Sequence, residues 1–318
     1  MDISIYFFTL ITIINSVQCA KILGIFPSTG YSQFILCKKL MTELAHRGHH
    51  VTVISAYKPK EEVNNYTTIL TDDLIKETQG DLFSLEDTNV LINNIVFHNF
   101  GYLLTEYILS HQEVHRLIHS NETFDLVIVE TFANEAHMGF AQHFNAPLVL
   151  FSSIGLAELN SHLVGNIMLP SVEPVSFSSF TNHMTFFQRL SNSAFYLFDI
   201  IYKELVAFPR QQTFLNKYFP KKMSLTEIMY NASLMLLNSH VSTTHPTFLT
   251  TSVIEIGGFH ISPKKLPRDL QKFLDEAEYG VILFSMGSNL KSSNIPQDTL
   301  NNILKVFSKL KQKSPLEV

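Results

Sequence analysis

The sequence predicts an α/β fold built on a parallel β-sheet. Short apolar runs typical of strands alternate with segments whose apolar residues recur at helical spacing, and the order strand, helix, strand occurs twice. Hydrophobic residues make up 46% of the 318 residues and charged residues 16%, which is ample material for a buried core. In such sheets ligands bind beyond the carboxyl ends of the strands, so candidate functional residues are sought there.

The first strand–helix–strand unit occupies residues 21–55. Residues 21–26 are an apolar run that ends at a Pro-Ser-Thr-Gly turn, which indicates a buried strand. Residues 32–47 carry apolar side chains three and four positions apart, which predicts an amphipathic helix, and Gly48 follows where a left-handed cap is expected. Residues 50–55 are the next strand.

The second unit is longer and less regular. Residues 124–129 predict a strand, 133–144 a helix and 146–151 another strand, and residues 234–238 and 253–256 predict two more. Residues 184–198 have apolar positions at helical spacing. This segment is either an ordinary helix facing the core or a helix that covers a pocket or lies on a membrane surface.

The composition changes after Gly257-Gly258. Residues 261–278 are polar and contain proline, which indicates a linker. A strand over 281–285, a turn and a helix over 299–310 then begin a second unit. We therefore expect a first domain over 20–260, the linker over 261–278, and the start of a second domain over 279–318.

The amino terminus predicts entry into the secretory pathway. Residues 5–14 are apolar and too short to cross a bilayer, and Val17 and Cys19 suit a signal peptide over 1–19. Lys and Arg do not precede the apolar run, which leaves open an uncleaved strand or anchor. Sequons at Asn65, Asn121 and Asn231 predict N-glycosylation of a lumenal chain. No other stretch reaches the ~18 apolar residues of a span, so we expect no carboxyl-terminal membrane anchor in this chain.

Composition and motifs also exclude classes of function. A net charge of −5 gives no basic surface for nucleic acid. The turn after the first strand lacks the G-x-G-x-x-G of dinucleotide folds, and a G-x-x-x-x-G-K-[ST] motif for phosphate binding does not occur. The sequence therefore argues against NAD enzymes and P-loop NTPases.

Three histidines recur every four residues on a predicted helix. His111, His115 and His119 share one face, and neighbouring pairs have the spacing of zinc ligands. The outer two lie ~12 Å apart along a helix, too far for one ion to hold all three. We therefore interpret them as a solvated face and predict no metal site.

Several segments, taken in order, resemble insect-type UDP-glycosyltransferases. The resemblance extends from Lys21 to about Lys311, and its most specific parts are Ile-Glu-Ile-Gly-Gly at 254–258 and Glu-Tyr-Gly-Val-Ile-Leu-Phe-Ser-Met-Gly-Ser-Asn at 278–289. The other matching segments are 22–27, 44–54, 124–130, 144–147 and 237–240.

The resemblance implies a GT-B-like fold, with a Rossmann-like N-terminal domain for a small lipophilic acceptor and a second Rossmann-like domain for a UDP-sugar. It implies transfer of a hexose, usually glucose in insects, onto a hydroxyl, with inversion and without a metal. UDP-sugar is then a co-substrate, and no further cofactor is expected. The implied compartment is the lumen of the endoplasmic reticulum, and association with full-length relatives or the membrane surface stays open.

The resemblance also assigns candidate catalytic residues. The family places its catalytic histidine in a Ser-His pair that opens the first helix, and here that pair is Ser32-Gln33. An amide cannot take a proton at neutral pH but can orient a hydroxyl, so Gln33 either faces the cleft in such a role or faces solvent. The family's orienting carboxylate corresponds to Glu130. Glu130 is either a base near the pocket or a first-turn acid favoured by the helix dipole.

The second unit supplies candidate contacts to the donor. By resemblance the turn containing Ser285, Gly287 and Ser288 approaches the phosphates of the UDP-sugar, where glycine permits close approach and the hydroxyls donate hydrogen bonds. The family's further donor motifs do not occur, so we expect a truncated donor domain and impaired catalysis by this chain alone. The alternative is a lumenal module that binds lipophiles or pairs with relatives without catalysis.

Overall fold

The structure, a computed structural model, describes residues 19–78, 89–244, 247–285, 287, 295–313 and 316–317. Residues 1–18 of the expected signal peptide and the candidate Ser288 lie outside these ranges. A seven-stranded sheet organises the N-terminal part. Its strands are β1 (Lys21–Phe26), β2 (His50–Ser55), β3 (Tyr66–Leu70), β4 (Leu126–Glu130), β5 (Leu148–Ser152), β6 (Leu234–Leu237) and β7 (Val253–Glu255).

Every neighbouring pair in this sheet is parallel, in the order β3-β2-β1-β4-β5-β6-β7. The predicted α/β class and parallel sheet are confirmed. Central strands are apolar along their whole length because both faces of the sheet are covered. Leu23 and Ile25 pack on one face, and Ile22 and Phe26 on the other.

Helices cover the two faces unequally. In chain order they are α1 (Tyr31–His46), α2 (Asp73–Thr78), α3 (Val90–Ser110), α4 (Gln112–Ile118), α5 (Gly139–Phe144), α6 (Phe186–Tyr202), α7 (Phe208–Tyr218), α8 (Leu225–Met229), α9 (Arg268–Asp275) and α10 (Gln297–Phe307). Helix α1 packs on one face through Cys37 and Met41. Helices α3, α5 and α7 pack on the other face and form the larger core.

Two glycines are required by the backbone. Gly48 has φ of 94° and follows the end of α1, as the sequence predicted. Gly101 lies in the middle of α3, where a Cβ atom would stand 2.2 Å from the carbonyl oxygen of Ala133. Its missing side chain lets α3 approach the loop that follows β4.

The helix predicted over 184–198 is α6. Its polar side chains face inward and several of its large apolar side chains face solvent, the reverse of a core-facing helix. Thr185 and Gln188 form a capping box at its start. The fully buried positions are Asn192 and Asp199, whereas Phe186, Phe187 and Leu197 are largely exposed. A π-helical turn, Lys203–Ala207, continues it into α7.

Two other expectations are only partly met. The single helix expected to carry three histidines is broken at His111, where the backbone is extended between α3 and α4. The strand expected over 281–285 is reduced to β8 (Phe284–Ser285), which pairs in parallel with β9 (Leu316–Glu317) in a separate two-stranded sheet. Helix α9 lies within the segment expected to be a linker.

Candidate functional site

The sheet has a topological switch point between β1 and β4. From β1 the chain builds outward through β2 and β3, and from β4 it builds in the opposite direction through β5, β6 and β7. The segments that follow β1 and β4 therefore diverge and leave a crevice at the carboxyl ends of the strands. This is where open α/β sheets bind their ligands.

Gln33 lies at this crevice, in the first turn of α1. Its side chain is half-buried, and Nε2 donates a hydrogen bond of 3.2 Å to the hydroxyl of Ser153. The interpretation of Gln33 as a residue that only faces solvent is therefore wrong. Its amide reaches across the switch point to the end of β5.

Glu130 is the last residue of β4 and is only 1% exposed. Its Oε1 accepts a hydrogen bond of 2.8 Å from the Ser153 hydroxyl. Helix α5 starts well beyond it, after a short 3₁₀ turn, Glu135–Met138, so Glu130 is not the first-turn acid considered above. Burial raises the pKa of Glu130 above its ordinary value, and the hydrogen bonds from Ser153 and the Ser28 amide oppose that rise without cancelling it.

Ser153 connects the two predicted residues, and sequence reasoning missed it. It directly follows β5 and is 8% exposed. Asn238 Nδ2 donates a hydrogen bond of 3.1 Å to the carbonyl oxygen of Ser153 and so helps to fix its backbone. Gln33, Ser153 and Glu130 thus form one hydrogen-bonded chain across the ends of three strands. No local pattern in the sequence singles Ser153 out, because its role depends on which strand ends lie side by side.

A small cleft, called the aromatic cleft below, is lined in part by Thr131 and Ile154, which directly follow Glu130 and Ser153. The rings of Phe97 and Phe132 lie 4.8 Å apart, and Phe177 lies 5.7 Å from Phe97. Ala133 and Phe177 have positive φ angles of 54° and 64°, an uncommon conformation for residues other than glycine. The remaining apolar lining residues of the cleft are Ala133, Met138, Ile154, Leu159 and Leu163.

One buried acid faces this cleft without a full set of partners. Glu135 is 3% exposed, and its Oε2 has no hydrogen-bond partner among the described residues. Burial raises the pKa of Glu135, although His98 and Lys203 nearby partly lower it. A neutral carboxyl at that place can both donate to and accept from a polar group of a ligand.

The residues predicted to contact the UDP-sugar lie apart from the hydrogen-bonded chain of Gln33, Ser153 and Glu130. Ser285 ends β8 and is exposed, and Gly287 has φ of 76° with its amide donating to the Ser285 hydroxyl at 3.3 Å. Ser285 and Gly287 are both exposed to solvent. The structure does not join these residues to Gln33 or Glu130 by any described hydrogen bond.

Most of the other predicted surface features are exposed. The three sequon asparagines, Asn65, Asn121 and Asn231, are all exposed. His115 and His119 are exposed and stack at 4.2 Å, whereas His111, expected on the same solvated face, is half-buried. In the described part of the chain, histidine, cysteine and acidic side chains do not gather in threes that could hold a metal ion. The described helices include none that is both long and apolar enough to cross a membrane.

Comparisons with known proteins agree with the resemblance. The protein-family model for "UDP-glucoronosyl and UDP-glucosyl transferase" matches residues 20–314. UDP-glucosyltransferase 2 of Dactylopius coccus is 32% identical over 92% of this chain and 58% of its own length. Human UDP-glucuronosyltransferase 2B10 is 27% identical over 94% of this chain and 60% of its own length. The chain thus spans about 60% of the length of the curated relatives it matches.

A structural comparison gives a weaker likeness. The solved structure of Phytolacca americana UGT2, complexed with UDP-2fluoro-glucose and pterostilbene, matches with a TM-score of 0.49 and 15% identity, over 93% of this chain and 66% of that chain.

Proposed function

This chain belongs to the UDP-glucuronosyl and UDP-glucosyl transferase family, and we propose that it forms the acceptor-binding part of an enzyme that transfers a hexose from a UDP-sugar to a hydroxyl. The sugar is glucose, as in the name of the insect relative UDP-glucosyltransferase 2, and the acceptor is a small lipophilic molecule. The observation that carries the proposal is the chain Gln33–Ser153–Glu130 beside the aromatic cleft.

The acceptor binds with its apolar body in the aromatic cleft and its hydroxyl at Ser153. Ring walls such as those of Phe97 and Phe132 favour flat lipophilic molecules. The described cleft holds only about 10 Å³, so acceptor binding requires the surrounding segments to part. Ile154, which is 50% exposed, is the most exposed of the residues that line it.

Glu130 acts as the general base through Ser153. The acceptor hydroxyl gives its proton to the Ser153 oxygen while the Ser153 proton passes to Glu130 Oε1. The acceptor oxygen then forms its bond to the anomeric carbon, and the bond from that carbon to UDP breaks with its electron pair leaving on UDP. A raised pKa makes the ionised Glu130 a stronger base than an exposed carboxylate.

Gln33 cannot take the proton itself, because its side chain is an amide. It holds the Ser153 oxygen in place by donating a hydrogen bond to it. The turn at Ser285, Gly287 and Ser288 receives the UDP phosphates. The second candidate function, a module that binds lipophiles without catalysis, is favoured by glutamine at the position of the family's histidine. The first domain, 20–260, the linker and the donor segment from 279 remain part of this proposal.

The transfer proposal is tested with a chimera. Residues 20–280 of this chain are joined to the matching remainder of UDP-glucosyltransferase 2 of Dactylopius coccus and assayed with UDP-glucose and a simple phenol. We expect slow but measurable transfer, and we expect Glu130→Gln to lower the rate by ~10²–10⁴-fold, the usual effect of losing a positioned base. Tight phenol binding with no transfer would instead identify the binding module.

We also propose that residues 1–19 direct the chain to the endoplasmic reticulum lumen, with glycans on Asn65, Asn121 and Asn231. The exposure of all three asparagines supports this. Expressed in insect cells, the protein should begin at Ala20 and lose mass on treatment with an endoglycosidase. An unglycosylated product that starts at Met1 would refute the assignment.

A further inference from the structure

A second depression opens at the carboxyl end of β6 and is called the β6 groove below. It encloses about 800 Å³, within the ~300–1,000 Å³ typical of small-molecule sites. It shares no lining residue with the aromatic cleft, because the segment after β5 separates them: Ile154 and Leu159 line the cleft, and Leu156 and Ser161 line the groove. Its principal apolar lining residues are Leu156, Met168, Leu169, Leu237, Phe248 and Leu249.

The walls of the β6 groove are cross-linked by hydrogen bonds. The Glu173 carboxylate accepts from the Leu169 amide at 3.0 Å and from the Thr247 hydroxyl. The buried Asn166 side chain accepts from the Thr250 amide at 2.9 Å. The bonds from Thr247 and Thr250 join segments that are 74 and 84 residues apart in the chain, so the groove is formed before any ligand binds and loses little entropy on binding.

The charged side chains that line the β6 groove differ in whether they have hydrogen-bond partners. Both oxygens of Glu173 are engaged with the walls, and the Arg189 guanidinium donates to the carbonyl oxygen of Ser171. Glu255, at the end of β7, also lines the groove and is half-buried, and its carboxylate has no hydrogen bond or ion pair to other described residues. Arg189 and Glu173 offset each other in charge, so with His183 counted as neutral the lining has a net negative charge, carried by Glu255.

We propose that the β6 groove is a second binding site, which takes a small lipophilic molecule that carries a protonated amine. The apolar body lies against Leu156, Leu237 and Phe248, and the ammonium faces Glu255. A carboxylate in the same place is repelled, because like charges interact strongly where apolar walls limit screening. This site does not depend on glycosyl transfer, so its failure would leave the proposed reaction untouched.

Three probes of one shape test the charge preference. 1-Naphthylmethylamine, 1-naphthylmethanol and 1-naphthoate are titrated into the whole chain by calorimetry. We expect the amine to bind about fivefold more tightly than the alcohol, as one partly exposed ion pair allows, and the carboxylate to bind most weakly. Glu255→Gln should remove the preference for the amine and leave the alcohol unchanged. Glu61→Gln, an exposed acid outside the groove, should change neither.

A second pair of variants tests the location. Thr244 lines the groove at its exposed rim, so Thr244→Trp should fill the groove and weaken binding of all three probes. Thr226→Trp, at an exposed position on α8, is the matched control and should have no effect. Absence of binding by all three probes, affinity unchanged by Thr244→Trp, or an amine preference that survives Glu255→Gln would each overturn the proposal.

Discussion

At the scale of single residues, the site depends on a serine that links two residues of different origin. Gln33 belongs to the segment after β1 and Glu130 to the end of β4, and Ser153 lies 120 positions from the first and 23 from the second. The resemblance predicted the two outer positions. Ser153 could not be predicted, because its role depends on which strand ends lie side by side rather than on any local pattern.

At the scale of secondary-structure elements, α6 shows why packing cannot be inferred from hydropathy alone. Its inward face carries Asp199, which accepts from Asn94 Nδ2 at 2.7 Å and pairs with Lys203 Nζ at 2.7 Å. His98 Nε2 lies 3.7 Å from the same carboxylate. Lys203 in turn donates to the carbonyl oxygen of Glu158 at 2.5 Å. The helix is thus held through a buried polar cluster.

This arrangement predicts an unusual contrast in stability on one helix. Asp199→Ala leaves the Lys203 charge buried and unpaired, so we expect the free energy of unfolding to fall by about 3–5 kcal/mol. Leu197→Ala, at an apolar position that is 57% exposed, should change it by no more than about 0.5 kcal/mol. Urea unfolding measures both. Equal losses would show that α6 is held by its apolar face instead.

The same contrast should depend on pH. Burial raises the pKa of Asp199, but His98 and Lys203 outweigh burial, so the folded-state pKa lies below the ordinary value of 3.8. A carboxylate with a lowered pKa stabilises the fold above its unfolded pKa and loses that contribution as the pH falls. The difference between the wild type and Asp199→Ala should therefore shrink below about pH 4.

Regular elements were the most predictable part of the fold, and irregular ones the least. The strands β1, β2 and β4–β7 are apolar runs with clear turn residues, and α1 has a plain 3.6-residue period. β3 (Tyr66–Leu70) was missed because it is a short, half-exposed edge strand with two threonines. α3 (Val90–Ser110) was missed because its apolar residues surround the helix and it buries Asn94 and His98 as well.

At the scale of the whole molecule, the chain has the fold class that the sequence predicts. The predicted membership of the UDP-glycosyltransferases is confirmed, and so is the α/β class with a parallel N-terminal sheet. The order of the sheet brings the ends of β1, β4 and β5 together at the switch point. The hydrogen-bonded chain of Gln33, Ser153 and Glu130 follows from that order, because its members are at least 23 positions apart in sequence.

The central claim, that Glu130 is the base and acts through Ser153, is tested most directly by the pH dependence of kcat/KM in the chimera. Activity should rise with pH through the pKa of Glu130. Ser153→Ala removes both the hydroxyl that relays the proton and a hydrogen bond that stabilises the ionised carboxylate, so kcat/KM should fall and the rise of activity should move to higher pH. Ser153→Thr keeps a hydroxyl, so kcat/KM should again rise over the same pH range as in the unmodified chimera. If kcat/KM of Ser153→Ala rose over the same pH range as that of the unmodified chimera, the account would be contradicted.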